Sequence, residues 1–153
     1  MTAKTVMDPH PCILKPTDSI KTACEFIMDN RYRALPVVDD NGRYLGVFGV
    51  NCLLRLVLPK AVVIEKGLKN VSFIDEEPLD LLARLKEVED QPISVCMRTD
   101  LATVAPDTPL VETLLLLYKN HHSIPVVDPE TDLLEGVISY FNVGEKILSA
   151  EEE

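Results

Sequence analysis

The residues able to do chemistry in this chain are few and poorly grouped. Four cysteines, Cys12, Cys24, Cys52 and Cys96, show no C-x-x-C spacing, and three of them fall at apolar-periodic or strand-edge positions. That pattern favours buried, reduced thiols over metal or redox chemistry. Of the three histidines, His10, His121 and His122, two are adjacent, and neighbouring side chains on a helix or strand point apart. A metal site there needs ligands from elsewhere, and none is expected. The chain has no Gly-rich phosphate loop, no H-E-x-x-H and no G-x-S-x-G, and its carboxylates lie in runs such as Asp75-Glu76-Glu77. It reads as non-catalytic. What remains are polar groups beside strands and at helix starts. The Ser139 hydroxyl can cap a helix, and Asn142, Arg33 and His122 can stay solvated.

The elements that would position these groups occur twice. Met7, Pro16, Ile20, Pro36-Val37-Val38-Asp39 and Gly46-Val47 return as Met97, Pro106, Leu110, Pro125-Val126-Val127-Asp128 and Gly136-Val137. Most matched pairs are 90 positions apart, as 97−7 and 136−46, and the Pro-Val-Val-Asp pair is 89 apart, as 125−36. A repeat on this scale means two small units that each leave an apolar face to be buried against the other.

Each copy carries the same succession of patterns. Ile20, Ala23, Cys24, Ile27 and Met28 form one helical stripe after an N-cap at Thr17 or Asp18. Leu110, Thr113, Leu114, Leu117 and Tyr118 form its counterpart after Asp107 or Thr108, with Pro109 in the first turn. Apolar strands follow at Ala34 to Val38 and Ile124 to Val127. Asp40-Asn41-Gly42 turns the first copy into a hairpin returning over Tyr44 to Phe48, and Pro129-Glu130-Thr131-Asp132 leads the second into Leu133 to Ile138. A second amphipathic helix closes each copy, from Val50 to Leu58 and from Tyr140 to Leu148. Short leading strands are expected at Ile13-Leu14 and Thr103-Val104. Two strands flanked by helices cannot close a core alone, whereas two such units packed sheet against sheet can.

The segment between the copies is too long for a bare connection. It reads as two helices, Ala61 to Lys66 stopped by Gly67, and Pro78 to Val88 with Leu79, Leu82 and Leu85 on one side. The tail Glu151-Glu152-Glu153 is expected to be solvated. Expected boundaries are 4–58 for the first repeat, 59–93 for a helical linker and 94–149 for the second repeat.

Composition narrows the partners. A hydrophobic share of 46% excludes a disordered chain, and a net charge of −10 repels a phosphate backbone, so no nucleic acid is expected. Runs such as Leu114 to Leu117 fall far short of the roughly 18 residues of a membrane span. The first residues lack the apolar core of a signal peptide. A cytoplasmic protein with no membrane insertion is expected.

The doubled order of Met, Pro-x-x-x-[Ile/Leu], helix, Pro-Val-Val-Asp and Gly-Val resembles a tandem pair of CBS (cystathionine β-synthase) domains, a Bateman module, over roughly residues 4 to 58 and 94 to 149. The resemblance implies an α/β (α+β) fold of two pseudo-symmetric β-α-β-β-α repeats packed through their sheets. It implies clefts that take AMP, ADP or ATP, or in some members S-adenosylmethionine, and association into a homodimer. Such modules regulate a catalytic or transport domain, and a stand-alone copy would act on a separate, unknown protein. The alternative is a ligand-free module for dimerisation or interaction.

In that family a [Ser/Thr]-x-x-Asp signature opens the last helix, its carboxylate binding the ribose and its hydroxyl favouring the phosphate. Here the four positions are Gly49-Val50-Asn51-Cys52 in the first copy and Ser139-Tyr140-Phe141-Asn142 in the second. The resemblance therefore places the ligand first in the second-repeat cleft, against Val104, His122, Ser123, Ile124, Pro125, Ser139 and Asn142. A weaker cleft is expected in the first repeat, at Leu14, Arg33, Ala34, Leu35, Pro36 and Asn51. An amide at Asn142 binds ribose without the charge assistance of a carboxylate.

Overall fold

The computed structural model describes residues 1–63, 74–120 and 122–150. Its elements, in chain order, are α1 (Ala3–Val6), α2 (Ile20–Asn30), β1 (Ala34–Val38), β2 (Tyr44–Gly49), α3 (Val50–Val57), α4 (Lys60–Val63), α5 (Pro78–Val88), α6 (Leu110–Asn120), β3 (Ile124–Val127), β4 (Leu134–Ile138) and α7 (Tyr140–Leu148). A 3₁₀ turn spans Ile93–Val95. Residues 64–66 of the expected Ala61–Lys66 helix, its Gly67 stop, His121 and the Glu151–Glu153 tail lie outside the described residues.

Both core helices bury the stripe their spacing predicts at its centre. Ile20, Ala23, Cys24 and Ile27 are buried on α2, and Thr113 and Leu117 on α6. The stripes end early, since Met28 and Tyr118 face outward. The cap of α2 is Ser19, whose Oγ accepts from the Thr22 N–H at 3.1 Å. Asp18 is taken one turn earlier, accepting from the Lys15 N–H at 2.9 Å. Thr108 likewise accepts from Ala105 N–H at 3.1 Å, and Pro109 stands just before α6.

β1 and β2 pair antiparallel, as do β3 and β4, each with a register shift, at Val37/Val38 and Val126/Val127. The leading strands contract to single parallel bridges. Leu14 pairs with Val37 and Val104 with Val126, each through two backbone hydrogen bonds of 2.8 to 3.1 Å.

The outer edge of each sheet is completed by the other repeat. Arg98, near the start of the second repeat, exchanges two 2.8 Å hydrogen bonds with Val47 of β2, and Asp8, near the start of the first, exchanges bonds of 2.8 and 3.0 Å with Val137 of β4. The strand order is thus Leu14, β1, β2, Arg98 in one sheet and Val104, β3, β4, Asp8 in the other. Gly46 and Gly136 permit these crossings, because a Cβ on either would sit 2.5 Å from the carbonyl oxygen of Arg98 or Asp8.

The two cores are mixed in the same way. One gathers Leu14, Ile20, Ile27, Val37 and Phe48 of the first repeat around Ile93, with Met97, Leu85 and Val88 packed on it. The other gathers Val104, Leu117, Ile124, Val126 and Ile138 around Ala3 and Val6, with Met7 against them. Helix α5 packs on α3, and the Arg84 guanidinium donates to the Val57 carbonyl at 3.0 Å. The hairpin ends meet as well, through Tyr44 N–H to the Asp132 carbonyl and Leu134 N–H to the Gly42 carbonyl.

Candidate functional site: the cleft between the repeats

With the sheets face to face, residues near the pseudo-twofold line an apolar slot of about 40 Å³, walled by Leu35, Pro36 and Val47 on one side and Pro125 and Val137 on the other. It shares Ala34, Val47, Leu101 and His122 with a larger cleft of about 280 Å³ at the start of α3, more polar than the slot though still mainly apolar. Arg33, Asn51, Arg98, Asn120 and His122 supply the polar rim.

The structure merges groups that the sequence assigned to two clefts. His122, Ser123 and Pro125 join Arg33, Ala34, Leu35, Pro36 and Asn51 along one continuous depression. Leu14, Val104 and Ile124 are buried in the cores. Ser139 and Asn142 are engaged with one another: Ser139 Oγ accepts from the Asn142 N–H at 3.2 Å and donates to Asn142 Oδ1 at 2.8 Å, and the Ser139 N–H donates to the same oxygen at 2.9 Å. This is a closed capping box, and neither residue lines the two cavities. Arg98, Leu101 and Asn120 line the cleft without any signal in the repeat, since their placement follows from the crossing segment and the end of α6.

Local geometry sets what each rim group offers. Helix α3 is anchored by the Val50 N–H donating to the Arg33 carbonyl at 2.9 Å. Gly49 fits that junction because a Cβ there would stand 2.4 Å from the Arg33 oxygen and 2.7 Å from Ala34 Cβ. A serine hydroxyl at position 49 is therefore incompatible with the closure seen. Cys52, at the position of the family's carboxylate, is buried with its thiol directed 4.0 Å from the Val47 carbonyl. His122 Nδ1 lies 2.9 Å from the Ser123 carbonyl oxygen. A carbonyl only accepts, so Nδ1 carries the proton and Nε2 is left for a ligand. Arg98 forks onto Asp100 at 3.4 Å through Nε and Nη2, which holds the Asp100 carboxyl below its ordinary range. Asn120 donates to its own helix at Leu116.

Three cationic or protonatable side chains thus line the cleft, and among the described residues no carboxylate does, in a chain of net charge −10. Of the four cysteines only Cys52 lines the cleft. Cys24 and Cys96 are pushed up to about 11 by burial, so they stay protonated at neutral pH. Only Cys12 is exposed, its sulfur 3.0 Å from the Tyr32 hydroxyl. Among the described residues no three metal-ligating side chains are grouped to hold an ion, and no helix is long and apolar enough to cross a membrane.

The family model for the CBS domain matches residues 3–59 and again 88–148. The chain belongs to the CBS domain family. Among solved structures, this CBS pair is similar to the CBS-pair protein CBSX2 from Arabidopsis thaliana, with 22% identity and a TM-score of 0.75 over 99% of this chain and 97% of that one. It is similar to CBSX2 in complex with AMP, with 23% identity and a TM-score of 0.72 over 98% of each chain. A CBS domain protein from Streptococcus pneumoniae follows at 20% identity and 0.69, over 98% of this chain and 88% of that one. At these identities the likeness is one of fold. No curated protein sequence matches the chain.

Proposed function

We propose that this CBS pair is a non-catalytic regulatory module, a cytoplasmic homodimer that senses an adenine nucleotide, AMP, ADP or ATP, and signals its occupancy to a separate protein. The observation that carries the reading is the join between an apolar slot and a cationic rim. The apolar walls Pro36, Val47, Pro125 and Val137 offer a face for the edge of a base seated in the adjoining cleft, and Arg33 and Arg98 on the cleft rim, with His122 once protonated, suit a phosphate. The AMP complex of CBSX2, on the same fold, supports the ligand class. A cleft of about 280 Å³ lies at the lower end of small-molecule sites, which favours a mononucleotide over a dinucleotide.

The rim also weighs against S-adenosylmethionine, whose sulfonium and ammonium would meet Arg33 and Arg98. Ser123 lines the slot, whereas the Ser139–Asn142 capping box lies outside both cavities and would have to open before its groups could bind ribose. Occupancy is transmitted only as far as the nucleotide prefers one arrangement of the repeats over another.

Isothermal titration calorimetry against AMP, ADP, ATP and S-adenosylmethionine tests the reading. Binding of at least one nucleotide is expected, weakened about tenfold or more by Arg33→Ala or Arg98→Ala and by added salt. Silence for all four at millimolar ligand would leave a ligand-free interaction module, the reading that Gly49 and Cys52 favour.

A further inference from the structure

The pseudo-twofold between the repeats holds down to single side chains around the cleft. Asn120 ends α6 and donates to the Leu116 carbonyl at 2.8 Å, and Asn30, 90 positions earlier (120−30), ends α2 and donates to the Phe26 carbonyl at 2.9 Å. Gly49 and Ser139, also 90 apart (139−49), cap the two closing helices. Arg33 and His122 stand at matching strand entries, 89 apart (122−33), so the twofold exchanges them and they favour neither side. The counterpart of the cleft at the start of α3 therefore falls at the start of α7, and one crossing residue separates the two in charge. Arg98 rims the first cleft beside Val47. Its match is Asp8, 90 positions earlier (98−8), which makes the same pair of backbone bonds to Val137.

Neither charge is neutralised by what it touches. Asp8 Oδ1 accepts from the His10 N–H at 2.9 Å, a neutral donor. The Tyr32 phenol, just past the end of α2, is pushed up first by its hydrogen bond with the Cys12 thiol and more weakly by the Asp8 carboxylate. That carboxylate thus lies within reach of the end of α2, as Arg98 lies beside Asn120 at the end of α6. Asp100, onto which Arg98 forks at 3.4 Å, is largely exposed and does not line the cleft.

Resting on the nucleotide reading above, we propose that each chain takes one nucleotide, in the cleft at the start of α3, and that Arg98 and Asp8 decide the choice. The guanidinium admits the phosphate to that cleft, and the carboxylate excludes it from the counterpart at the start of α7. A phosphate monoester carries close to two negative charges at neutral pH, and each unit of protein charge a few ångströms from it near a surface changes affinity by about tenfold. Replacing a guanidinium by a carboxylate removes two such units, so the two clefts differ by about a hundredfold. The closed Ser139–Asn142 box acts in the same direction.

Calorimetry of the full chain with AMP, read together with amide hydrogen exchange, tests this. One AMP per chain is expected, protecting Asn51 and Cys52 in the first turn of α3 and leaving Phe141 and Asn142 of α7 unchanged. Arg98→Gln should weaken AMP about tenfold and Arg98→Asp about a hundredfold. Asp8→Arg should keep the first site within about threefold and bring in a second AMP, with new protection at the start of α7. Both crossing residues pair through backbone groups, and unchanged thermal melting of each variant checks that the sheets remain intact. Two AMP per chain in the wild type, protection at α7 in place of α3, Arg98 variants that bind as the wild type does, or an Asp8→Arg chain that still takes AMP only at α3 would each overturn the assignment and leave the nucleotide reading standing. A wild type that binds none of AMP, ADP and ATP would overturn both.

Discussion

Gly46→Ala is the sharpest perturbation of the crossed arrangement, because the added methyl runs into the Arg98 backbone carbonyl. Its Cβ would lie 2.5 Å from the Arg98 carbonyl oxygen and 3.3 Å from the carbonyl carbon, and neither is the free end of a side chain. Relief requires the Arg98 segment to withdraw by most of an ångström, which takes both 2.8 Å bonds between Val47 and Arg98 out of range. At about 1 kcal/mol net for each bond, plus a small loss of packing around Met97, the cost is about 2 to 3 kcal/mol. In a two-state chain of this length that lowers the melting temperature by about 5 to 10 °C.

Gly136→Ala repeats the experiment on the other sheet, where the methyl meets the Asp8 oxygen at 2.5 Å and Met7 Sδ at 2.8 Å. Gly144→Ala is the control of opposite sign. It lies inside α7, and a methyl there would have nothing within 4 Å, so the helix should gain about 0.5 to 1 kcal/mol. Urea unfolding by circular dichroism gives the energies, and hydrogen exchange at the Val47 and Arg98 amides localises the damage. If Gly46→Ala and Gly136→Ala both unfold within about 0.5 kcal/mol of wild type, the crossing segments do not clamp the sheets and the reasoning fails.

Tyr44 carries a buried hydroxyl with no hydrogen-bond partner among the described residues, so Tyr44→Phe should be neutral or gain up to about 1 kcal/mol; a loss beyond that in urea would show a hidden partner. Alkaline stability should fall continuously over overlapping windows. The folded thiols of Cys24 and Cys96 are held near 11 against an ordinary 9.0, and the Tyr44 phenol near 12 against 10.0, chiefly by burial. The unfolded chain therefore releases these protons first, and stability present below pH 9 is lost as pH rises through about 11 and then 12; a flat profile from about pH 8 to 11 would contradict it. Ser139→Ala should cost about 1 kcal/mol through the lost cap with nucleotide affinity kept within about threefold, and a larger loss of affinity would place the hydroxyl on the ligand.

Much of the fold is legible because burial leaves marks on side chains. The strands Ala34–Val38 and Ile124–Val127 and the helix Pro78–Val88 are read at the ends they have in the structure, since each is a run of matching preference bounded by breakers. The cap of α2 is less legible: Asp18 and Ser19 are both good caps by type, and only the turn that claims Asp18 for Lys15 decides between them. The crossing is not legible at all, because Asp8 and Arg98 pair through backbone groups that every residue carries. Once that crossing is missed, the cleft cannot be assembled either. Arg98 and Leu101 enter it from the crossing segment, and His122 reaches it from repeat 2 beside Arg33 of repeat 1. The family signature directs attention to Ser139 and Asn142, whose side chains close on each other.

Arg98 joins the two levels of this molecule. Its backbone completes the first sheet through Val47, and its side chain rims the cleft while forked onto Asp100. That fork is exposed and at 3.4 Å, so it is weak and yields readily to a better anion. A phosphate that takes the guanidinium pulls on a segment held by two backbone bonds and continued, through Met97, into the first core around Ile93. Val47 lines both the slot and the cleft, so the same pair of residues feels base and phosphate together. The crossing that makes each repeat depend on the other is thus also the shortest covalent route from the proposed ligand to the linker helix α5, which ends five residues before Ile93.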